Sequence, residues 1–250
     1  MMVRLVAFLA LTLAGCANSP SDVDHAVAQA VEPSLRAAAA AAEANHDYKG
    51  ATQHLNTLYQ RRSDDKGIGV ALARNLRYGS QPQTAADIMQ GQLSHFPGDP
   101  ELLIELGKDY LAADRALALK TLEQAKAVAP ERWEVHATMA VALDTLGRSD
   151  EAFVAYGRAL ELSPDNPMVL NNLGLSQALA GRLNEALATL ARAADLPTAT
   201  AQIRQNLALL LALKGDFVQA EKLTRNDLPP ALARSNIEVM RAIAAAAKQP

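Results

Sequence analysis

Catalysis at neutral pH needs a nucleophile beside a base, a pair of unlike carboxylates, or a cluster of metal ligands. The reactive residues of this chain are arranged in none of these ways. Its five histidines, His25, His46, His54, His95 and His136, are scattered over separate stretches. There is no His-Glu-x-x-His, no second cysteine for a zinc pair, no Gly-x-Ser-x-Gly and no phosphate-cradling glycine loop. Asp64-Asp65 and Glu131 read as turn and first-turn residues, where an acid complements the positive end of a helix, not as a carboxylate pair. A formal charge of −3 over 250 residues gives no basic footprint for nucleic acid. The residues therefore predict a non-enzyme with no cofactor, no metal and no small-molecule substrate.

The chemistry that remains is covalent at one place. Residues 1–15 carry a single positive charge, Arg4, then an apolar run over 5–13 that is too short to span a bilayer and suits a cleaved signal peptide. The run ends in Leu13-Ala14-Gly15-Cys16, and Cys16 is the only cysteine in the chain. The sequence resembles the bacterial lipobox, which implies lipidation of Cys16 as the first mature residue. Two or three acyl chains, at about 0.8 kcal/mol per buried methylene, hold a protein stably to a membrane. No aspartate follows the cysteine; by resemblance to lipoproteins of enterobacterial type, that implies the periplasmic face of the outer membrane. Residues 16–22 would then form a tether reaching about 20 Å. With its one cysteine committed, the mature chain has no internal disulfide available.

What must position any binding residues is a repeat. The positions of Ala51, Ala85, Ala118, Ala152, Ala186 and Ala220 differ, each from the one before, by 34, 33, 34, 34 and 34. That period marks an array of two-helix units, and the alanine marks a helix crossing too close for a larger side chain. Gly147, Gly181 and Gly215 stand five residues before their alanines, where a left-handed residue ends the first helix; His46, Ser80 and, one residue nearer its alanine, Asp114 occupy this column in earlier units. Pro97, Pro130 and Pro164 follow their alanines by twelve residues and Pro197 by eleven, ending each second helix. Ala140, Gly174 and Ala208 form a matching small column on the first helices.

These columns resemble the tetratricopeptide repeat (TPR). Residues 133–166 give the clearest unit, with Met139-Ala140, Leu143, Gly147, Ala152, Tyr156, Ala159 and Pro164 on the family positions. Units begin near Glu32, Lys66, Pro100, Trp133, Pro167 and Ala201. The tryptophan of the family's first helix is missing: Trp133 lies too early, and His136, Leu170 and Arg204 occupy its column. The predicted fold is all-α, a superhelical solenoid of about six units over 23–230, with a capping helix over 231–250. The apolar stripe of that last helix is read as Leu232, Val239, Met240 and Ile243, with Arg234, Glu238 and Arg241 outside it.

In this register the exposed positions of each first helix line the concave face. The last two units place Asn171, Asn172, Leu175 and Leu179, then Gln205, Asn206, Leu209 and Leu213 there. An asparagine amide pairs with the N–H and C=O of a bound backbone, and neighbouring leucines take its apolar side chains. Asparagine in this column and leucines packed beneath the capping helix also fit a purely structural role. The earlier units place Arg36, Arg74, Arg77, Tyr78 and Lys108 on the same face with Glu43 and Glu105, which is either a cationic clamp for an acidic segment or a solvated charged face.

The end of the chain narrows the family. The run Asn206-Leu207-Ala208-Leu209, Gly215-Asp216, Ala220-Glu221, Asp227-Leu228-Pro229-Pro230 and Asn236-Ile237-Glu238-Val239-Met240-Arg241 resembles the end of TadD-like lipoproteins of tight-adherence (Flp) pilus assembly. That resemblance implies an adaptor that assists assembly of the outer-membrane secretin, its groove engaging secretin or a neighbouring pilus component. A repeat lipoprotein that docks cell-wall hydrolases, or a subunit of another envelope complex, remains the alternative.

Overall fold

The computed structural model describes residues 20–246, with side chains described from residue 31. The lipobox, Cys16 and residues 247–250 lie outside the described residues. So does the start of the expected tether, whose Pro20, Ser21 and Asp22 open the first helix.

Many helices start where a short polar side chain can take the orphan N–H groups of the first turn. Asp47, Asp65, Asp99, Asp114, Asn166, Thr200 and Asp216 all cap in this way. The result is thirteen helices with no strand among the described residues. They are α1 (Pro20–Ala44), α2 (Tyr48–Arg61), α3 (Lys66–Tyr78), α4 (Pro82–His95), α5 (Pro100–Ala113), α6 (Arg115–Val128) and α7 (Trp133–Thr145). There follow α8 (Ser149–Leu162), α9 (Pro167–Leu179), α10 (Leu183–Ala194), α11 (Ala201–Lys214), α12 (Phe217–Thr224) and α13 (Pro230–Ala246). The odd helices from α3 to α11 begin on the predicted unit starts. The first unit differs, because α1 begins at Pro20 and runs through Pro33.

Packing follows the alanine column. All six alanines are at 0% exposure. Opposite them the first helices keep small residues because the helix axes approach closely. A Cβ built at Gly174 would stand 2.7 Å from Leu190 Cγ and 3.3 Å from the Ala186 carbonyl oxygen, and one at Gly107 would stand 2.6 Å from Leu122.

The turn inside each unit is left-handed at His46, Ser80, Gly147, Gly181 and Gly215, as the spacing predicts. The next N–H then reaches back five residues, as from Arg148 to the Leu143 carbonyl and from Arg182 to that of Gln177. Asp114 is a correction. Its φ is −151°, and it ends α5 while capping α6. The residue that would have been left-handed is deleted there, and this is the physical origin of the single short step in the alanine spacing.

Successive first helices touch (α3 with α5, α5 with α7, α7 with α9, α9 with α11), whereas no comparable contact joins successive second helices among the described residues. The stack therefore bends toward its first-helix side. At its end α13 covers α11 and α12 with Ala233, Ile237, Met240 and Ala244, against Ala208, Ala212 and Ala220. The predicted stripe is corrected by about a quarter-turn. Of its members only Met240 is buried; Leu232, Val239 and Ile243 point outward. The helix is apolar over more than one face, so periodicity alone did not select the packed one.

Candidate protein-binding groove

The inner face is built from residues that first have to hold the helices together. Three polar links join side chains 32 positions apart on successive first helices. Asn75 Nδ2 donates to Glu43, Arg77 Nη1 to Asp109, and Ser176 Oγ to Asp144 Oδ1 at 2.8 Å. The other Asp144 oxygen accepts from the Tyr156 hydroxyl at 3.1 Å. At the junction between α5 and α7 the same columns carry Leu111 and Ala142, which pack in one apolar cluster. Sequence reasoning missed these links. A polar pair recurring slightly inside the repeat period was the signal.

The strongest link is ionic. Arg77 also donates to Glu105 Oε2 at 2.9 Å, and Lys108 Nζ meets Glu105 Oε1 at 2.7 Å. Asp109 is fully buried, and its Oδ2 has no partner among the described residues. Burial pushes its carboxyl up to about 7 against the pull of Arg77. Burial also acts on Glu105, but Lys108 and Arg77 together hold it below the usual carboxylate range. Of the predicted cations, then, Arg77 is committed to Asp109 and Glu105, and Lys108 is tied to Glu105 at the groove edge. Arg36 pairs with Glu32 at 2.8 Å and Asp65 at 3.4 Å. Arg74 is exposed and makes no ion pair among the described residues.

The predicted amides converge from two helices. Gln202 Nε2 donates to Asn206 Oδ1 (3.0 Å), Asn206 Nδ2 to Asn171 Oδ1 (2.8 Å), and Asn171 Nδ2 to Asn172 Oδ1 (3.2 Å). Four amides in a line make three bonds, so the last donor, Asn172 Nδ2, is surplus. The leucines divide. Leu175 stays half-buried on the inner face, Leu209 packs into the cluster beneath α13, Leu213 joins the core between the fifth and sixth units, and Leu179 is 87% exposed. Gln205 is half-buried on α11.

Between α5, α7 and α9 lies a cup of 360 Å³, which Asn172 alone of these residues borders. Its apolar walls are Leu111, Trp133, Ala137, Val141 and Met168, with Lys108 on one side and Asn172 on the other; Glu134 and Thr138 complete it. Trp133, misplaced for the family's tryptophan column, is here a wall of the groove. In the column it vacates, His136 Nε2 meets the Pro130 carbonyl at 2.7 Å, Leu170 is core, and Arg204 pairs with Asp227. A larger cavity of 890 Å³ opens on the other side, between α6 and α8, and none of the predicted site residues lines it. Among the described residues no group of three or more His, Cys, Asp or Glu is placed to hold a metal, and no helix is long and apolar enough to cross a membrane.

A family model described as "TPR repeat" matches residues 145–181, which span α8 and α9. The uncharacterized protein y4yS of Sinorhizobium fredii (strain NBRC 101917 / NGR234) is 36% identical over 91 residues. That stretch is 36% of this chain, and the chain spans half of that relative's length. The architecture is similar to a thermophilic TPR protein of Thermus thermophilus, with a TM-score of 0.65 at 22% identity over 72% of this chain and 98% of that one. It is also similar to a tetratricopeptide repeat protein of Parabacteroides merdae ATCC 43184, with a TM-score of 0.67 at 13% identity over 88% and 94%. PilW, described as a widely conserved type IV pilus biogenesis factor, gives 0.59 at 17% identity over 77% and 90%. At these identities the likeness is one of fold: all-helical TPR solenoids.

Proposed function

We propose that this TPR repeat protein is a non-enzymatic adaptor that binds a protein partner along its inner face. We propose further that it works as a lipoprotein, anchored through Cys16 at the periplasmic face of the outer membrane, and assists secretin assembly for Flp (tight-adherence) pilus biogenesis. The observation that carries the binding reading is the apolar cup bordered by a surplus amide donor and followed, one helix away, by the exposed Arg74. A solvated structural surface does not need an apolar hollow of that size. The resemblance of residues 13–16 to a lipobox supports the anchor, and the ending that resembles TadD-like proteins supports the pilus role; the likeness to PilW is one of fold alone. A membrane anchor concentrates a weak groove contact near its target, so modest affinity suffices.

Deleting the gene tests the pilus role: SDS-resistant secretin rings should disappear from outer-membrane extracts, and normal rings would sink it. Capture of cell-wall hydrolases in place of secretin by the tagged protein would shift the assignment to a hydrolase-docking lipoprotein. Cys16→Ser should leave the array folded yet move it from membrane pellets to the soluble fraction, and unchanged pelleting would remove the lipid anchor.

A further inference from the structure

The chemistry around the cup says what kind of segment fits it. Resting on the reading of the inner face as a binding groove, we infer that the occupant is an extended partner segment with one bulky aliphatic side chain in the cup and acidic residues running from it toward α3.

The volume sets the anchor. A hollow of 360 Å³ walled by Leu111, Trp133, Ala137, Val141 and Met168 accepts one large apolar side chain, and Met168, 57% exposed, has the flexible thioether to close over it. The Asn172 Nδ2 donor on the α9 wall fits an acceptor such as the segment's own backbone carbonyl. Charge sets the direction. In the column of first-helix positions that carries Val141 in the cup, α5 has Lys108, α3 has Arg74, and α9 and α11 have Leu175 and Leu209. This column is thus cationic toward α3 and apolar toward α11, while the acids nearby are already engaged, Glu43 by Asn75, Glu105 by Arg77 and Lys108, and Glu134 by Arg132. Lys108 shares Glu105 with Arg77, whereas Arg74 has no acidic neighbour bonded to it among the described residues. Neighbouring first helices lie about 8–10 Å apart, and an extended chain covers that in about three residues. The acidic residues therefore belong about three and six positions from the anchor.

Trp133 is the only tryptophan of the chain, so its emission reports the cup directly. The probes are twelve-residue synthetic peptides without aromatic residues. Each has a central leucine and glutamates three and six positions away, on the N-terminal side in one peptide and the C-terminal side in the other. One of the two should shift the Trp133 emission and saturate. Leu→Ser in that peptide should weaken it by about tenfold or more, and Glu→Gln by about threefold, as suits solvent-exposed ion pairs. Arg74→Glu should erase the advantage of the acidic peptide while leaving the Gln peptide's affinity unchanged, an outcome that a folding defect does not produce. Val141→Asp should abolish saturation with either peptide, with melting checked alongside. If the Gln peptide binds as well as the acidic one, the groove stands and the acidic flank is wrong. If neither peptide perturbs Trp133, the inferred segment is wrong; if Val141→Asp also still captures secretin, the groove reading itself fails.

Discussion

The two ends of the inner face hold their neighbouring helices by different means. Between α3 and α5 the bond is ionic and deep: Arg77 is committed to a fully buried Asp109 and to Glu105. Between α9 and α11 it is a shallow line of neutral amides from Gln202 to Asn172. A buried ion consumes the hydrogen-bonding capacity aimed at it, because leaving charge unpaired in the interior is costly. An open line of amides always has an unused end. Glu105 and Asn172, which stand at the same repeat position, thus become structure at one end and a ligand-facing donor at the other.

The comparison breaks most readily at Arg77. Arg77→Leu leaves Asp109 buried without its cation and should cost about 3–5 kcal/mol in urea unfolding at pH 8. Asp109 binds its proton near pH 7 in the folded chain, against 3.8 for the ordinary carboxyl, so folding takes up a proton between those values. Its contribution is then fullest at the acid end and is lost as pH rises through that window. The variant should accordingly be damaged less at pH 5 than at pH 8, and adding Asp109→Asn should recover most of the loss. Equal damage at both pH values would show that Asp109 is ionised throughout.

A middle-sized effect tests what the two ends share. Ala85→Leu and Ala186→Leu overpack equivalent crossings, and each should lower stability by roughly 1–3 kcal/mol. Similar losses in thermal melts would confirm that only the polar layer differs along the stack; a large disparity would show that the helix crossings differ too. The smallest effect is at the amide line. Asn206→Ala cuts it upstream of Asn171 and should cost about 0.5–1.5 kcal/mol. Because Asn172 keeps its own bond to Asn171, peptide titration of Trp133 should barely change; a large loss of binding would mean that the whole line orients the terminal donor.

Much of the architecture was legible because it is periodic. Five first-helix starts, the left-handed turns at His46, Ser80, Gly147, Gly181 and Gly215, and the buried alanines all follow from local demands repeated once in every unit. Asp114 shows the limit, since one deletion turned a left-handed position into a cap while its residue type suited both. The terminal helix shows another: α13 offers two apolar stripes, and only the shape of α11 and α12 selects Ile237 over Val239. The groove residues were found as a set, but their roles were not. Arg77 and Arg74 look alike in sequence, and what separates them is Asp109 on the next first helix, which bonds to Arg77 and not to Arg74.

The chain by itself determined a stack of paired helices, where most begin and end, and where their backbones must meet, because those are properties of short segments repeated in phase. Only the tertiary structure decided which polar side chains are consumed by a neighbouring unit and which are left facing the groove. That depends on distances between residues in different units, and no single segment contains them.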